Sequence, residues 1–258
     1  MRPRHCFILG SEDMFSIFHK LLGKRTDGKP FCSAVVVAAG LSQRMSGQNK
    51  LFALLHDKPI LAYTLDVIDK CESINEIILV TKASDISNAM ELCNDFGIQK
   101  VSKIICGGDT RTESAWLGVN ATSFKAKLIA IHDGARPFVT QDIIDSTIAA
   151  ANTYNAAAPA FKLSSTIKKA EKNIVIETVD RENLYEIQTP QVFDADIIKC
   201  ALKNAMEKNL QITDDCMALE ALGLTVRLTE GSKENIKLTT PDDLSFAEAI
   251  LNNRRSHI

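Results

Sequence analysis

Apolar and polar positions follow two rhythms along this chain. Short apolar runs such as Ala34–Val37, Ile77–Val80 and Leu128–Ile131 alternate with longer stretches in which apolar residues recur every three or four positions. Uninterrupted β-branched runs mark strands covered on both faces, and the slower recurrence marks amphipathic helices. Read this way, the pattern predicts strands at 34–38, 76–81, 101–106, 127–132, 156–161 and 224–229. It predicts helices at 59–71, 84–96, 112–122, 141–153, 194–208, 214–222 and 242–251. Ser84 and Thr140 are placed to cap helix starts, and Gly97 and Gly223 to stop helices. Thr240-Pro241-Asp242-Asp243 reads as a cap, a first-turn proline and an acidic first turn. Such alternation predicts an α/β fold, a mostly parallel sheet with helices on both faces.

One stretch breaks the rhythm. Residues 162–181, KLSSTIKKAEKNIVIETVDR, read as two short strands around the polar turn Lys169–Asn173, inserted where a crossover helix is expected. A lone hairpin is barely stable in water, so this arm must pack on its own domain or on a second subunit.

Residues 1–33 differ again, with Arg2, Arg4, Lys20, Lys24, Arg25 and Lys29 around the short amphipathic piece Met14–Leu22. Glu12, Asp13 and the brevity of that piece suit a transit or signal peptide poorly. The segment reads as a dispensable leader, with Met14 as an alternative start. The expected domain is then 34–251, with a tail at 252–258.

The chain has 258 residues and a formal net charge of −2, with no block of like charge. That excludes the electrostatic footprint of a nucleic-acid or membrane-surface binder and points to a small ligand. No apolar run reaches transmembrane length. Seven scattered cysteines without a C-x-x-C pair argue against a disulfide framework or a zinc site and for a reducing, cytoplasmic setting.

Residues 34–50, AVVVAAGLSQRMSGQNK, carry the most chemistry. Ligands of parallel sheets sit at the carboxyl ends of the strands. There Ala38, Ala39 and Gly40 have almost no side chain, so a base or phosphate can reach backbone N–H groups, with Arg44 and Lys50 supplying positive charge. The same letters also read as a tight turn followed by solvated cations. No P-loop motif is present, and Ser42 stands where a dinucleotide fingerprint needs its second glycine.

Three more regions carry polar residues at strand or loop ends. In Gly107–Ser114, GGDTRTES, paired glycines permit close approach, and Asp109 or Ser114 can bond a base or ribose; a plain turn with a helix cap accounts for the letters equally well. The strand before HDGARP delivers Asp133 at its carboxyl end, as a Mg²⁺ or substrate carboxylate or, alternatively, as a helix cap or an internal partner of Arg136. His132 reads as a packing residue. Finally, TVDR with TPQ and the segment ENIK add Arg181, Thr189 and Lys237, two cations and a hydroxyl suited to a second anionic substrate.

AAGLSQRM with Lys50, GGDTRTES, HDGARP, TVDR, TPQVF, ITDD at 212–215 and EGSKENIKLTTPDDL occur in this order over about residues 33–251. The set resembles the 2-C-methyl-D-erythritol 4-phosphate cytidylyltransferase family of the non-mevalonate isoprenoid pathway. The resemblance implies a single Rossmann-like nucleotide-binding domain whose β-arm forms a homodimer. It implies that Ala38, Ala39, Gly40, Gly107, Asp109 and Ser114 hold cytidine and that Arg44 and Lys50 stabilise the transition state, with Asp133 near Mg²⁺ or another divalent cation. It further implies that Arg181 and Lys237 position methylerythritol phosphate, with Thr166, Thr189 and Arg136 nearby. Ser42, Gly134 and Ser165 depart from common family choices, and the last leaves the arm's share in the second site open.

The implied reaction joins CTP and the sugar-alcohol phosphate and releases pyrophosphate. A phosphomonoester is largely ionised at neutral pH, so no general base is needed and the work is electrostatic. The alternatives are a ribitol 5-phosphate cytidylyltransferase, a nucleotide-binding regulatory protein without turnover and, more distantly, a dehydrogenase.

Overall fold

Strand β1 (Cys32–Val37) shows why the chain forms layers: Ala34 and Val36 point into one apolar cluster and Val35 into another. Its neighbour β4 (Glu76–Thr81) alternates in the same way, with Ile77 and Leu79 on one face and Ile78 and Val80 on the other. A computed structural model describes residues 28–40 and 50–255. Residues 1–27 of the expected leader and the expected catalytic cation Arg44 lie outside the described residues.

Among the described residues, the central sheet has eight strands. Beside β1 and β4 run β5 (Val101–Cys106) and β6 (Leu128–Asp133), all parallel, in the order β6-β1-β4-β5. Antiparallel β11 (Gln191–Asp194) joins β6 to β7 (Ala156–Lys162), restoring the common direction. β10 (Tyr185–Ile187) opposes β7, and β12 (Arg227–Glu230) runs parallel to it. The sheet is therefore mostly parallel, as the alternation predicted. A small separate hairpin pairs β2 (Leu54–Leu55) with β3 (Lys58–Pro59).

Helices α1 (Ile60–Lys70), α2 (Ile86–Asp95), α4 (Gln141–Tyr154) and α7 (Asp242–Arg255) bury apolar residues in the first cluster. Helices α3 (Arg111–Ala121), α5 (Ala195–Glu207) and α6 (Cys216–Glu220) cover the other face. Each fully buried Ile or Leu between these layers contributes about 1.5–3 kcal/mol.

The predicted caps fare unevenly. Thr140 Oγ1 accepts the Ile143 N–H at 3.3 Å, and Gly97 and Gly223 take positive φ after helix ends. Ser84 instead lies in a 3-10 turn, Ala83–Asp85, and Asp85 precedes α2. At α7 the cap comes from within the helix, since the Asp243 carboxylate accepts the N–H groups of Thr239 at 2.6 Å and Thr240 at 2.7 Å. The strand expected at 224–229 forms at Arg227–Glu230.

The hairpin expected at 162–181 is present as β8 (Ile167–Glu171) and β9 (Ile174–Val179). Lys172 and Asn173 sit between them with φ of 48° and 66°, the backbone a two-residue turn requires. Ile174, Val175 and Ile176 are each more than half exposed on the arm.

Candidate active site

The loops that follow β1, β5 and β6 are tied to the strand ends beside them. Ala38 N–H donates to the Val80 carbonyl at 2.7 Å, Gly107 N–H to Thr81 at 2.8 Å and Gly134 N–H to Val37 at 2.9 Å. They enclose a cradle lined by almost no side chain. A Cβ on Gly107 would fall 2.5 Å from Ala39 Cβ and 2.7 Å from Ser114 Oγ, so only glycine lets these segments meet. Ser114 shapes the loop: its hydroxyl donates to the Thr110 carbonyl at 2.9 Å and accepts the Gly108 N–H at 3.2 Å. Thr110 Oγ1 accepts the Glu113 N–H, and Glu113 returns the bond by accepting the Asp109 N–H at 2.8 Å. The Asp109 side chain remains exposed at the mouth.

Helix α3 lies unusually near the sheet. A Cβ on its Gly118 would sit 2.3 Å from Val35 Cγ1 and 2.8 Å from Val80 Cγ2. The close approach carries the first turn of α3, with Arg111 and Ser114, down to the strand ends.

At the end of β6, the buried Asp133 carboxylate is a charge hub. One oxygen faces Arg111 Nε at 3.3 Å; the other faces Lys237 Nζ at 2.9 Å and Arg136 Nε at 3.6 Å. Burial alone would push this carboxyl up, but Arg111 and Lys237 outweigh it and hold the group well below the usual range. Lys50, in the turn Lys50–Phe52, joins the same field; burial and the Lys237 charge lower its ammonium pKa, and Asp243 and Asp133 partly restore it. Burial lowers the Arg136 guanidinium from its usual value, with Asp133 opposing.

The expected Asp133–Arg136 ion pair therefore exists, but within a larger set. Arg111 extends it, its Nη2 reaching Asp215 Oδ2 at 2.8 Å. Burial lowers the Arg111 pKa, yet Asp215 and Asp133 reverse this and hold it fully charged. Asp215 is wholly buried, its second oxygen lacks a hydrogen-bond partner, and burial raises its carboxyl although Arg111 offsets part of the effect. Gln191 Oε1 accepts the N–H groups of Asp215 at 3.0 Å and Cys216 at 3.1 Å, while its amide holds Asp214.

The segment carrying Lys237 is fastened by buried amides. Asn235 Nδ2 donates to the Thr189 carbonyl at 3.0 Å, and Gln188 Nε2 donates to Ser232 at 2.7 Å and to Asn235 at 3.2 Å. Arg136 Nη1 adds a bond to the Asn235 carbonyl at 2.7 Å.

Of the residues singled out from sequence, Lys50, Asp133, Arg136, Thr189 and Lys237 converge on one site. Ala38, Ala39, Gly40, Gly107 and Ser114 form the adjoining cradle. Arg181 and Thr166 do not join them: Arg181 donates to the Ser164 carbonyl at the base of the arm, and Thr166 lies in the exposed approach to β8. Arg111 and Asp215 went unassigned, although both lie within the motifs GGDTRTES and ITDD.

Three cations face one carboxylate and a fourth, Lys50, lies in the same field, so positive charge exceeds negative around Asp133. The same arrangement bears on a divalent cation. Among the described residues no three His, Cys, Asp or Glu side chains gather, and both Asp133 oxygens already face cations. This donor set does not fit a resident ion, and a Mg²⁺ would take its oxygens mainly from nucleotide phosphates. Nor, among the described residues, is any helix long and apolar enough to cross a membrane.

Comparison with known proteins agrees with this geometry. The sequence profile of the family described as 2-C-methyl-D-erythritol 4-phosphate cytidylyltransferase, IspD, matches residues 32–253. The enzyme of that name from Clostridium botulinum (strain Langeland) is 45% identical over 221 residues, covering 85% of this chain and 96% of its own. The one from Halalkalibacterium halodurans is 44% identical over 220 residues, with the same coverage of 85% and 96%. Among solved structures, the 4-diphosphocytidyl-2C-methyl-D-erythritol synthase of Anaerococcus prevotii superposes with a TM-score of 0.78 at 30% identity, covering 87% of this chain and 97% of that one. The Thermus thermophilus cytidylyltransferase gives 0.69 at 27% identity, with coverage of 84% and 98%. A profile match over residues 32–253 and relatives 44–45% identical along nearly their whole length leave one conclusion: the chain belongs to the 2-C-methyl-D-erythritol 4-phosphate cytidylyltransferase (IspD) family.

Proposed function

We propose that the cradle and the charge hub together transfer CMP from CTP to 2-C-methyl-D-erythritol 4-phosphate. The products are 4-diphosphocytidyl-2-C-methyl-D-erythritol and pyrophosphate, in isoprenoid precursor biosynthesis. The observation that carries the mechanism is the convergence of Arg111, Arg136 and Lys237 on Asp133, with Lys50 in the same field, beside a cradle of Ala38, Ala39, Gly40 and Gly107.

In this reading the acceptor phosphate oxygen attacks the α-phosphorus of CTP in line and pyrophosphate departs. No base is required, because the attacking phosphomonoester is already mostly ionised. Lys50, with Arg44, offsets charge building on the phosphoryl oxygens and on the leaving group, where a preorganised cation is most effective. Asp109 and Ser114 border the base and ribose. Lys237 is 40% exposed and is the hub member free to turn toward an incoming phosphate, with Asp133 holding it until then. Arg136 is buried against Asn235 and supports the hub from beneath. A divalent cation, entering with CTP, would neutralise triphosphate charge and fix its conformation.

The arm suggests a homodimer. Its exposed Ile174, Val175 and Ile176 favour packing on a second subunit, which would bring Arg181 and Thr166 to a neighbouring acceptor site. Buried, unpaired Cys32, Cys71, Cys93 and Cys216 suit a reducing cytoplasm. The expected leader boundary at 33 is too late, because Cys32 and Ser33 are buried in β1, so only the residues before about 30 serve as a dispensable leader. The ligands are small molecules; no nucleic acid or membrane is involved.

The test is pyrophosphate release with CTP and Mg²⁺, run in parallel with methylerythritol phosphate and ribitol 5-phosphate. Release confined to the first acceptor is expected. Turnover confined to ribitol phosphate, or CTP binding without release, would replace this reading.

A further inference from the structure

His132 and Thr189 are almost completely buried beside the charge hub, and none of the chemistry above uses the imidazole. Their hydrogen bonds can be given a direction at every link. His132 Nε2 lies 3.2 Å from the Arg136 carbonyl oxygen, which can only accept, so Nε2 carries a proton. Burial pushes the His132 pKa down to about 4, which leaves the ring neutral at physiological pH and makes Nδ1 an acceptor. Thr189 Oγ1, 3.0 Å from Nδ1, must therefore donate its single proton to the ring. That leaves the Thr189 oxygen to accept the Asp133 N–H at 3.1 Å. The chain of bonds runs from Asp133 N–H to Thr189, from Thr189 to His132, and from His132 to the Arg136 carbonyl.

Strand register explains why a side chain stands here. β11 pairs with β6 at Val192 with Ala130 and Gln191 with Ile131. Continuing that register sets Pro190 opposite His132 and Thr189 opposite Asp133. Proline has no N–H, so the ladder cannot continue through it. The Thr189 hydroxyl takes the place of the missing strand partner and anchors the backbone of the residue on which the cations converge.

We propose that His132 and Thr189 are positioning residues for cytidylyl transfer, together holding Asp133 in register beneath Arg111 and Lys237. This differs from a direct contact between Thr189 and the acceptor, since the one hydroxyl proton is already committed. It rests on the cytidylyl-transfer reading, and wild-type turnover with CTP and methylerythritol phosphate is measured first so that the two fail separately.

Side-chain geometry supplies a sharp comparison. Asparagine can place its Oδ1 where His132 Nδ1 lies, and glutamine can place its Nε2 where His132 Nε2 lies. His132→Asn retains the acceptor for Thr189, whereas His132→Gln retains only the donor toward Arg136. Misplacement of a charged group by a fraction of an ångström to 1 Å lowers rate by roughly tenfold to a hundredfold. Thr189→Val and His132→Gln should each lose kcat by that factor with KM for CTP unchanged, and the double variant should be no worse than either single one. Thr189→Ser and His132→Asn should recover most of the rate. Thermal unfolding identifies any variant that has lost its fold; if Thr189→Val does, the two His132 variants decide. A nitrogen NMR spectrum of the wild-type imidazole should show Nε2 protonated and Nδ1 bare. Equal turnover in the Asn and Gln variants, wild-type kcat in folded Thr189→Val, or a proton on Nδ1 would overturn the proposal. An inactive wild type would reject the parent reading instead.

Discussion

Arg111 separates two buried carboxylates, and removing it should expose how much of the fold depends on that one guanidinium. Asp215 is wholly buried, with one oxygen 2.8 Å from Arg111 Nη2 and the other unpartnered. Arg111→Met keeps the length of the side chain and deletes its charge, and breaking such a pair costs about 3–5 kcal/mol. Asp215 can escape part of that penalty by taking up a proton. For an ordinary carboxyl near 3.9, protonation at pH 7 costs about 4 kcal/mol, and because burial already raises Asp215 in the wild type the loss is capped below this. The expectation for Arg111→Met is thus a loss of more than about 1 and less than about 4 kcal/mol at pH 7. Its pH dependence has a definite sign. Burial already raises Asp215 in the wild type and loss of Arg111 raises it further, so the deficit relative to wild type is smallest below the wild-type folded pKa and grows as pH rises above it. The growth is about 1.4 kcal/mol per unit until the variant's folded pKa is reached. Urea unfolding of wild type, both single variants and the Arg111→Met/Asp215→Asn pair at pH 5 and pH 7 measures it. The double variant should recover most of the loss and its pH slope. A cost below about 1 kcal/mol at pH 7, a pH-independent deficit, or the same deficit in the Asp215→Asn background would refute the reasoning.

Lys50→Ala should lower kcat about 10²–10³-fold while CTP affinity changes little, checked by steady-state kinetics beside equilibrium CTP titration. If the arm crosses to a partner, inactive Lys50→Ala and Arg181→Ala proteins mixed under subunit exchange should regain activity, up to about half the wild-type value; exchange verified by mass spectrometry without recovery would place Arg181 in its own chain's site. The neutral state of His132 contributes stability that is complete above about pH 6.5 and is lost as pH falls toward about 4, up to about 3 kcal/mol, and this slope should vanish in His132→Asn by denaturant unfolding across that range. Glu76, nearly buried while accepting from Ser33 Oγ, Ser102 Oγ and the Ser123 N–H, has its carboxyl lowered, with these bonds outweighing burial. Glu76→Ala should cost about 3–5 kcal/mol at neutral pH, and the wild-type protein should lose the charge-dependent part of this as pH falls through the lowered folded pKa, both read from chemical denaturation.

Strands β1, β4 and β6 were legible because burial on both faces leaves no room for polar interruption, and the arm because a polar turn divides two short runs. β10 and β11 were not foreseen: they have three and four residues, too few for a period to show, and exist because β7 and β6 offer them edges. The shift of the last strand to Arg227–Glu230 has the same cause, since its bounds are set by pairing with Ala157–Ala160. Local sequence placed Asp133 at a strand end and offered Arg136 as its partner only as an alternative to a metal or substrate role. It could not show that Arg111 joins Asp133 to Asp215, because the Arg111–Asp215 contact spans 104 positions. Likewise Thr189 read as a hydroxyl for a substrate, whereas its donor is used on a histidine 57 positions away.

Gly118 has a consequence for the shape of the site. The residue lies two helical turns beyond Arg111 and has no polar atom in its side chain, yet it sets how closely one layer of the molecule can rest on another. The cradle proposed for the nucleotide is thus calibrated from below: thicken the seam at Gly118 by one methyl group and the whole first turn of α3 must ride higher. In an assay such a change would resemble damage to the ligand site, with weakened grip on both anions, although nothing that touches them had been replaced. Recognition here depends on the thickness of an apolar joint as much as on the charges displayed above it.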